Sequence, residues 1–211
     1  TGGVGIQLSE GDVVALHRWS GSQIVQSSTW FSSGASGGGL FNADGALVGI
    51  LTFRLRGGAQ HYFAAPADWL LGQLKDEQQP YNAIAPLAGK SFWEQPEDEQ
   101  PYFLRAAALE QSQQWAALVQ LAERWELEDH DDPEAPYLLG VAFEGLRQPE
   151  PSIEAFKRSL AIDPDYLRSW ARLARVYQRS GHTRESRQAL SRLAALDPKQ
   201  AREVAAELEK P

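Results

Sequence analysis

Several ingredients are scarce or missing in this sequence of 211 residues, and each absence excludes a class of protein. There is no cysteine, which excludes a disulfide framework and any metal site built on thiolates. No apolar run approaches the roughly 20 residues that a membrane-spanning helix needs. The net charge of −8 argues against a general nucleic-acid-binding surface. Neither a phosphate-binding loop nor a metal-ligand spacing occurs, so we expect no cofactor and no metal.

Methionine is absent too, although the chain contains seven tryptophans, and the sequence starts at Thr1. These features predict a fragment that is incomplete at its N-terminus, or a sequence from which residues such as modified methionines are missing. No signal peptide is recognised. The lack of cysteine suits either a cytosolic or a periplasmic protein.

Two different compositions lie side by side in the chain. Residues 1–75 carry four basic and four acidic groups, whereas the remainder carries 16 basic and 24 acidic groups. Of the 18 glycines, 14 precede residue 76. This split predicts two domains, at residues 1–75 and 101–211, joined by a Pro- and Glu-rich linker at residues 76–100. Within the linker, Phe92 and Trp93 are expected to pack on a neighbouring element.

Short strands and one helix are predicted for the first domain. The clearest element is a hairpin that turns at Asp44-Gly45, because this pair supplies the positive φ of a tight turn. The stretch at residues 22–29 sets Ile24 and Val25 among polar residues, which favours an exposed or edge strand. The other predicted elements are strands at residues 13–16 and 61–65, the latter ended by Pro66, and a helix at residues 68–74.

A regular repeat governs the chain from residue 101 onward. The matched pairs, which share one separation, are Leu139 and Leu173, Gly140 and Ala174, Phe143 and Tyr177, Phe156 and Leu190, and Asp163 and Asp197. The pattern resembles the tetratricopeptide repeat, a helix–turn–helix unit of about 34 residues. The resemblance implies three repeats and a capping helix over residues 201–210. Small residues would let paired helices approach closely, and each Asp-Pro pair would end a helix.

A serine between glycines, in the stretch Gly34-Ala35-Ser36-Gly37-Gly38, is the principal candidate for chemistry. From these residues alone, Ser36 can be either part of an ordinary turn or a catalytic nucleophile. With the flanking sequence, the stretch resembles the nucleophile region of trypsin-like serine proteases, and most closely the HtrA-like bacterial branch. In those proteins the serine loop is followed by a hairpin, a Val-Gly-Ile strand (here residues 48–50) and a Phe-Ala-x-Pro segment (here residues 63–66).

This resemblance implies that residues 10–75 form the second antiparallel β-barrel of such a protease. Ser36 would be the nucleophile, and the amides of Gly34 and Ser36 would form the oxyanion hole. The strand Thr52-Phe53-Arg54 would pair with a peptide substrate. Trp30 would lie at the floor of the specificity pocket or, alternatively, in the core. A periplasmic location in a bacterium is favoured on the same ground.

The chain also departs from that family. Ala35 replaces the usual Asp or Asn, which removes the carboxylate that would pair with a new N-terminus in zymogen activation. The family's His and Asp lie far upstream, yet only 35 residues precede Ser36. His17 falls within the second barrel, so it is not expected to be the base. The remaining histidines are expected to be surface or packing residues: His61, His130 and His182.

Two functions from different classes remain open. The first is a serine endopeptidase whose repeats recruit a protein substrate or partner, and whose serine half alone is inactive for lack of a general base. The second is an inactive protease-like scaffold whose repeats bind a protein partner. A processing product that has lost its first barrel is a third possibility.

Four arginines share one face of a predicted helix in the last repeat: Arg168, Arg172, Arg175 and Arg179. Arg168 and Arg175 fall at positions that tend to line the concave face of such solenoids. They are candidates for binding an acidic peptide or a C-terminal carboxylate. The alternative is a solvated face that neighbouring acidic residues neutralise.

Overall fold

The computed structural model describes residues 8–32, 34–55, 61–74 and 90–209. The chain divides into two compact units, Thr1–Phe103 and Leu104–Pro211. The predicted linker at residues 76–100 lies largely outside the described residues, since these leave out residues 75–89. The predicted domain bounds therefore stay a prediction.

The described residues of the first unit form an antiparallel sheet of five strands. The strands are β1 (Val13–Trp19), β2 (Ser22–Ser27), β3 (Gly39–Phe41), β4 (Leu47–Arg54) and β5 (Tyr62–Pro66), followed by helix α1 (Ala67–Leu74) and a short 3₁₀ turn (Glu97–Glu99). Their order in the sheet is β1-β2-β5-β4-β3. All neighbouring pairs run antiparallel.

Two sequence-based expectations for this sheet are wrong. In the described residues the sheet is open, with β1 and β3 at opposite edges, so these strands do not close the expected barrel. Strand β2 is expected to be exposed or at an edge, but it pairs with β1 on one side and β5 on the other. Its polar residues Gln26 and Ser27 are accordingly buried. A polar sequence can occupy an interior strand when its hydrogen bonds are satisfied there.

Aromatic rings form the core beside β4 and β5. Phe63 is fully buried, and its ring stacks on Phe53 with centroids 4.7 Å apart. The ring of Phe53 also stacks on Trp93 with centroids 5.1 Å apart, and Phe92 meets Trp93 edge to face. The expectation that Phe92 and Trp93 pack on a neighbouring element is therefore confirmed.

The predicted hairpin at Asp44-Gly45 is also present, between β3 and β4. Gly45 has a φ of +77°, a left-handed conformation that favours glycine. The side-chain oxygen of Asn42 accepts hydrogen bonds from the amides of Asp44 and Ala46, at 3.1 and 2.9 Å. This turn fixes the strand that carries the Thr52 segment.

The second unit is helical. Its helices are α2 (Tyr102–Gln111), α3 (Trp115–Glu128), α4 (Glu134–Gly145), α5 (Pro149–Ile162), α6 (Leu167–Arg179), α7 (Thr183–Leu196) and α8 (Pro198–Leu208). No helix among the described residues is long and apolar enough to cross a membrane. The pairs α2–α3, α4–α5 and α6–α7 lie at the positions of the three predicted repeats, and the division into three repeats stays a prediction.

The turn inside each pair has the same backbone geometry. Gln113, Arg147 and Gly181 occupy equivalent positions in the three repeats, and all three have positive φ, at 55°, 60° and 78°. The final helix differs from the prediction, because it starts at Pro198 rather than at residue 201. Asp197 caps it by accepting from the amides of Lys199 and Gln200 at 2.9 and 3.0 Å.

Candidate functional site

Ser36 lies in a turn between β2 and β3, on the surface of the first unit. Its hydroxyl donates a hydrogen bond to the main-chain carbonyl of Thr52, with 3.2 Å between the oxygens, and this contact is exposed to solvent. The loop is tied to β4 by two backbone hydrogen bonds of 2.8 Å, from Gly37 to Leu51 and from Leu51 to Gly38. The serine is therefore accessible, and its loop is anchored to an interior strand of the sheet.

Glycine is required at two positions of this loop. Gly34 and Gly37 have φ values of +100° and +89°, which other residues rarely adopt. A Cβ atom at Gly37 would meet no atom of the described residues within 4 Å. The two glycines thus allow the backbone conformation of the loop, and they place no side chain next to Ser36.

Two amides of the loop are distinguished by their hydrogen bonding. The amides of Ala35, Gly37 and Gly38 each donate to a backbone carbonyl, at 3.1, 2.8 and 2.9 Å. Within the described part of the chain, those of Gly34 and Ser36 have no backbone acceptor. These are the two amides that the resemblance selects for an oxyanion hole, which requires amides that can donate to a substrate oxygen.

The segment Thr52–Arg54 lies at the end of β4. On one side it pairs with β5, through Phe53 with Phe63 and Arg54 with Tyr62. On the other side, β3 pairs with β4 only as far as Ile50. Among the described residues, no strand therefore pairs with the other edge of Thr52–Arg54. A peptide can add to a sheet only at such an unpaired edge.

Trp30 is 56% exposed, and its carbonyl accepts a hydrogen bond from the Ser9 hydroxyl at 2.8 Å. It does not belong to the core of the sheet, which removes the second of its two sequence-based interpretations. An exposed indole on the segment leading to the Ser36 loop offers an apolar contact for a ligand.

No general base accompanies Ser36 in the described residues, where the partner of its hydroxyl is the Thr52 carbonyl. His17, the nearest histidine in sequence, is 3% exposed. Its Nε2 lies 2.7 Å from the side-chain oxygen of Gln26, to which it is hydrogen-bonded. This buried polar pair explains His17 as a structural residue.

The arginine face of α6 is neutralised by carboxylates. Arg168 contacts Glu134 at 3.2 Å and lies over the ring of Tyr137, with its Cζ 4.2 Å from the centroid. Arg175 bonds Glu207 at 2.8 Å. The other two arginines of this face have acidic partners as well: Arg172 with Glu110 and Glu144, and Arg179 with Glu144. A ligand carboxylate would have to compete with these residues.

A groove on the other side of the last repeat was not anticipated. It is an open groove between α5, α6 and α7 with a volume of about 730 Å³, and its lining residues include Leu160, Trp170 and Arg192. The sequence indicates this groove by a difference between corresponding residues of two successive repeats. Leu160 and Arg192 correspond to Glu126 and Arg158 of the preceding repeat.

Comparison with protein families gives one partial match for each unit. The model of the trypsin-like peptidase domain matches residues 1–50, which include the Ser36 loop but end before Thr52. The model of the tetratricopeptide repeat matches residues 147–208. The helical part of the chain is thus a tetratricopeptide-like solenoid. A search of curated proteins found no match.

Three solved structures illustrate the similarity. The second tetratricopeptide domain of human RPAP3, in complex with an HSP70 peptide, is 17% identical over 52% of this chain and 93% of that one, with a TM-score of 0.48. MamA from Desulfovibrio magneticus RS-1 is 23% identical over 47% and 56%, with a TM-score of 0.44. The Arabidopsis OM64 tetratricopeptide domain is 14% identical over 49% and 87%, with a TM-score of 0.46. The chain therefore spans little more than half of the MamA structure.

Proposed function

We propose that this chain provides the serine half of a trypsin-like serine endopeptidase, together with repeats that recruit a protein substrate or partner. The observation that carries the proposal is the placement of Ser36. Its exposed hydroxyl lies on a glycine loop anchored to β4, next to two amides that have no backbone acceptor among the described residues. The partial match to the trypsin-like peptidase domain supports the same interpretation.

The proposed reaction is peptide-bond hydrolysis through an acyl-enzyme. The Ser36 oxygen attacks the carbonyl carbon, and the amides of Gly34 and Ser36 donate hydrogen bonds to the oxygen that becomes negatively charged. A general base takes the hydroxyl proton and passes it to the leaving amine, and water then releases the acid product. The substrate backbone pairs with Thr52–Arg54, and Trp30 contacts an apolar side chain.

In this proposal a residue outside this sequence supplies the base, because the Ser36 hydroxyl donates to a backbone carbonyl and not to a histidine. A serine hydroxyl without a base is a weak nucleophile at neutral pH. We therefore expect the 211-residue chain alone to show no peptidase activity. Measurable hydrolysis of a casein substrate by the purified chain would contradict this account of the missing base.

The test is active-site labelling of the natural full-length protein with a fluorophosphonate probe. Labelling is expected, and it should be lost in Ser36→Ala. Ser22→Ala, a matched change on β2, should retain it. Because the Ser36 hydroxyl is exposed, Ser36→Ala should leave the melting temperature unchanged. A folded full-length protein that resists the probe would overturn the enzyme proposal.

A second candidate is an inactive protease-like scaffold that works through its repeats. The hydrogen bond from Ser36 to the Thr52 carbonyl, with no histidine partner in the described residues, favours it. The same labelling separates the two candidates. Failure of labelling with retained binding of a protein partner to the repeats would support the scaffold.

For the repeats, we propose recruitment of a protein or peptide partner, and the arginine face keeps Arg168 and Arg175 as candidate ligand residues. Arg175 belongs to the more accessible of the two ion pairs, because Glu207 is half-exposed whereas Glu134 is buried. A ligand carboxylate would replace Glu207 on Arg175 more readily than Glu134 on Arg168. Arg175→Glu should weaken binding of an acidic peptide if this face is used.

A further inference from the structure

The groove between α5, α6 and α7 differs from its counterpart one repeat earlier. In the earlier repeat, Arg158 of α5 holds Glu126 of α3 through two hydrogen bonds, of 2.8 and 3.2 Å. That ion pair bridges the two outer helices. The corresponding residues of the later groove are Arg192 on α7 and Leu160 on α5, both of which line it. A leucine cannot accept a hydrogen bond, so this bridge is replaced by an opening.

Arg192 is left with its charge available. Its side chain is exposed, and it forms no ion pair in the portion of the chain that the structure describes. The other charged groups that line the groove are Lys157 and Glu185. Lys157 is bound to Glu154 at 2.7 Å. Glu185 lies on α7 two turns before Arg192, a separation of about 10 Å along the helix.

The floor beside Arg192 is apolar. Trp170 takes the place that Pro136 has in the preceding repeat, and it is half-buried. Its indole nitrogen donates to the carbonyl of Pro164 at 2.8 Å, which holds the ring in position. Leu173 and Ala189 are buried beneath the groove. The lining of the groove thus combines a fixed aromatic ring with an arginine that, unlike its counterpart, has no acidic partner among the described residues.

We propose that this outer groove docks a peptide segment of a protein partner, with an apolar side chain on Trp170 and Leu160 and a carboxylate on Arg192. The proposal rests on the recruiting role proposed for the repeats and names a second surface for it. Charge complementarity identifies the occupant, since the preceding repeat shows what this arginine position binds. A rigid aromatic ring and an available guanidinium in one groove are the residue types that form binding hot spots.

The test is a selection of random linear peptides, displayed on phage, against the whole 211-residue chain. Enriched peptides are expected to combine an aromatic or aliphatic residue with Asp or Glu. Leu160→Glu should weaken their binding by at least about tenfold, because it rebuilds the pair that closes the preceding groove. Arg192→Glu should do the same. Arg187→Glu, on the exposed side of α7, is the matched control and should bind like the wild type.

Three outcomes would overturn the proposal. In the first, Arg175→Glu weakens peptide binding and Leu160→Glu does not. The peptides then bind the arginine face, and the proposed recruiting function holds without this groove. In the second, the selection enriches no acidic peptide, which shows that the groove does not bind the proposed ligand. In the third, sedimentation shows that the wild-type chain self-associates and that Arg192→Glu does not. The occupant of the groove is then a second copy of this chain. Circular dichroism confirms that each variant is folded.

Discussion

The ring of Phe156 occupies the space that a side chain at Gly140 would need. A Cβ atom built at Gly140 would lie 2.5 Å from Cε1 of Phe156, well inside van der Waals contact. Since both residues are buried, neither helix can move aside without disturbing its neighbours. The close approach of α4 and α5 thus depends on the pairing of glycine with a large ring.

Gly140→Ala is accordingly expected to destabilise the solenoid, although alanine is the better helix former. Overpacking costs about 1–3 kcal/mol, whereas the gain in helix propensity is at most about 1 kcal/mol. Urea unfolding measures the difference. The control is the double variant with Phe156→Leu, in which the smaller side chain leaves room for the methyl group. Equal effects of Gly140→Ala in both backgrounds would show that the contact is unimportant.

The left-handed turn positions offer stabilising substitutions. Gln113 and Arg147 have φ values of 55° and 60°, and glycine occupies the equivalent position 181. A left-handed backbone costs a residue with a Cβ atom roughly 1 kcal/mol. Arg147→Gly should therefore raise the free energy of unfolding by about 0.5–1 kcal/mol. Arg147→Ala removes the charge but keeps the strain, and it should not stabilise. A melting temperature raised equally by both would point to the charge instead.

The Arg168–Glu134 pair is expected to contribute far more stability than the Arg175–Glu207 pair. Glu134 is 3% exposed, and losing the partner of a buried ion typically costs about 3–5 kcal/mol. Arg175 and Glu207 are more exposed, so breaking their pair should cost below about 1 kcal/mol. Chemical denaturation of Arg168→Ala and Arg175→Ala compares the two. Similar losses for both variants would contradict the assignment.

Alkaline pH should destabilise the solenoid through Tyr166. Burial raises the pKa of its phenol above the ordinary value of 10.0. A raised pKa means that the folded state holds the proton more tightly than the unfolded state. The stabilisation is complete below pH 10, and it is lost above that value, at up to about 1.4 kcal/mol per pH unit. Unfolding free energies between pH 9 and 11 measure the slope. Tyr166→Phe should flatten it, and an unchanged slope would refute the assignment.

The helical half was the more predictable from sequence. Its recurring features, such as Gly140, Phe156 and Asp163, repeat at one spacing, and each repeat contacts mainly its neighbours. Local periodicity therefore specifies most of the packing. The hairpin at Asp44-Gly45 was predictable for a related reason, because the turn chemistry is contained in adjacent residues.

The sheet and the charged surfaces were less predictable. The polar residues of strand β2 predict an exposed or edge strand, but pairing partners distant in sequence place it in the interior. The resemblance to two-barrel proteases implied a closed barrel, which the described strands do not form. The row of arginines on α6 suggested an anion site, but the sequence did not show that Glu134 and Glu207 bind two of them.

By itself, the sequence determined that a glycine loop presents Ser36 and that a regular helical repeat builds the second half of the chain, since both are local patterns. The tertiary structure alone decided what each charged and reactive group meets. It set Ser36 against the Thr52 carbonyl, and among the described residues it gave Arg158 a carboxylate partner but Arg192 none. The physical reason is that hydrogen bonds and ion pairs need atoms within about 4 Å. Folding, and not spacing along the chain, brings such atoms together.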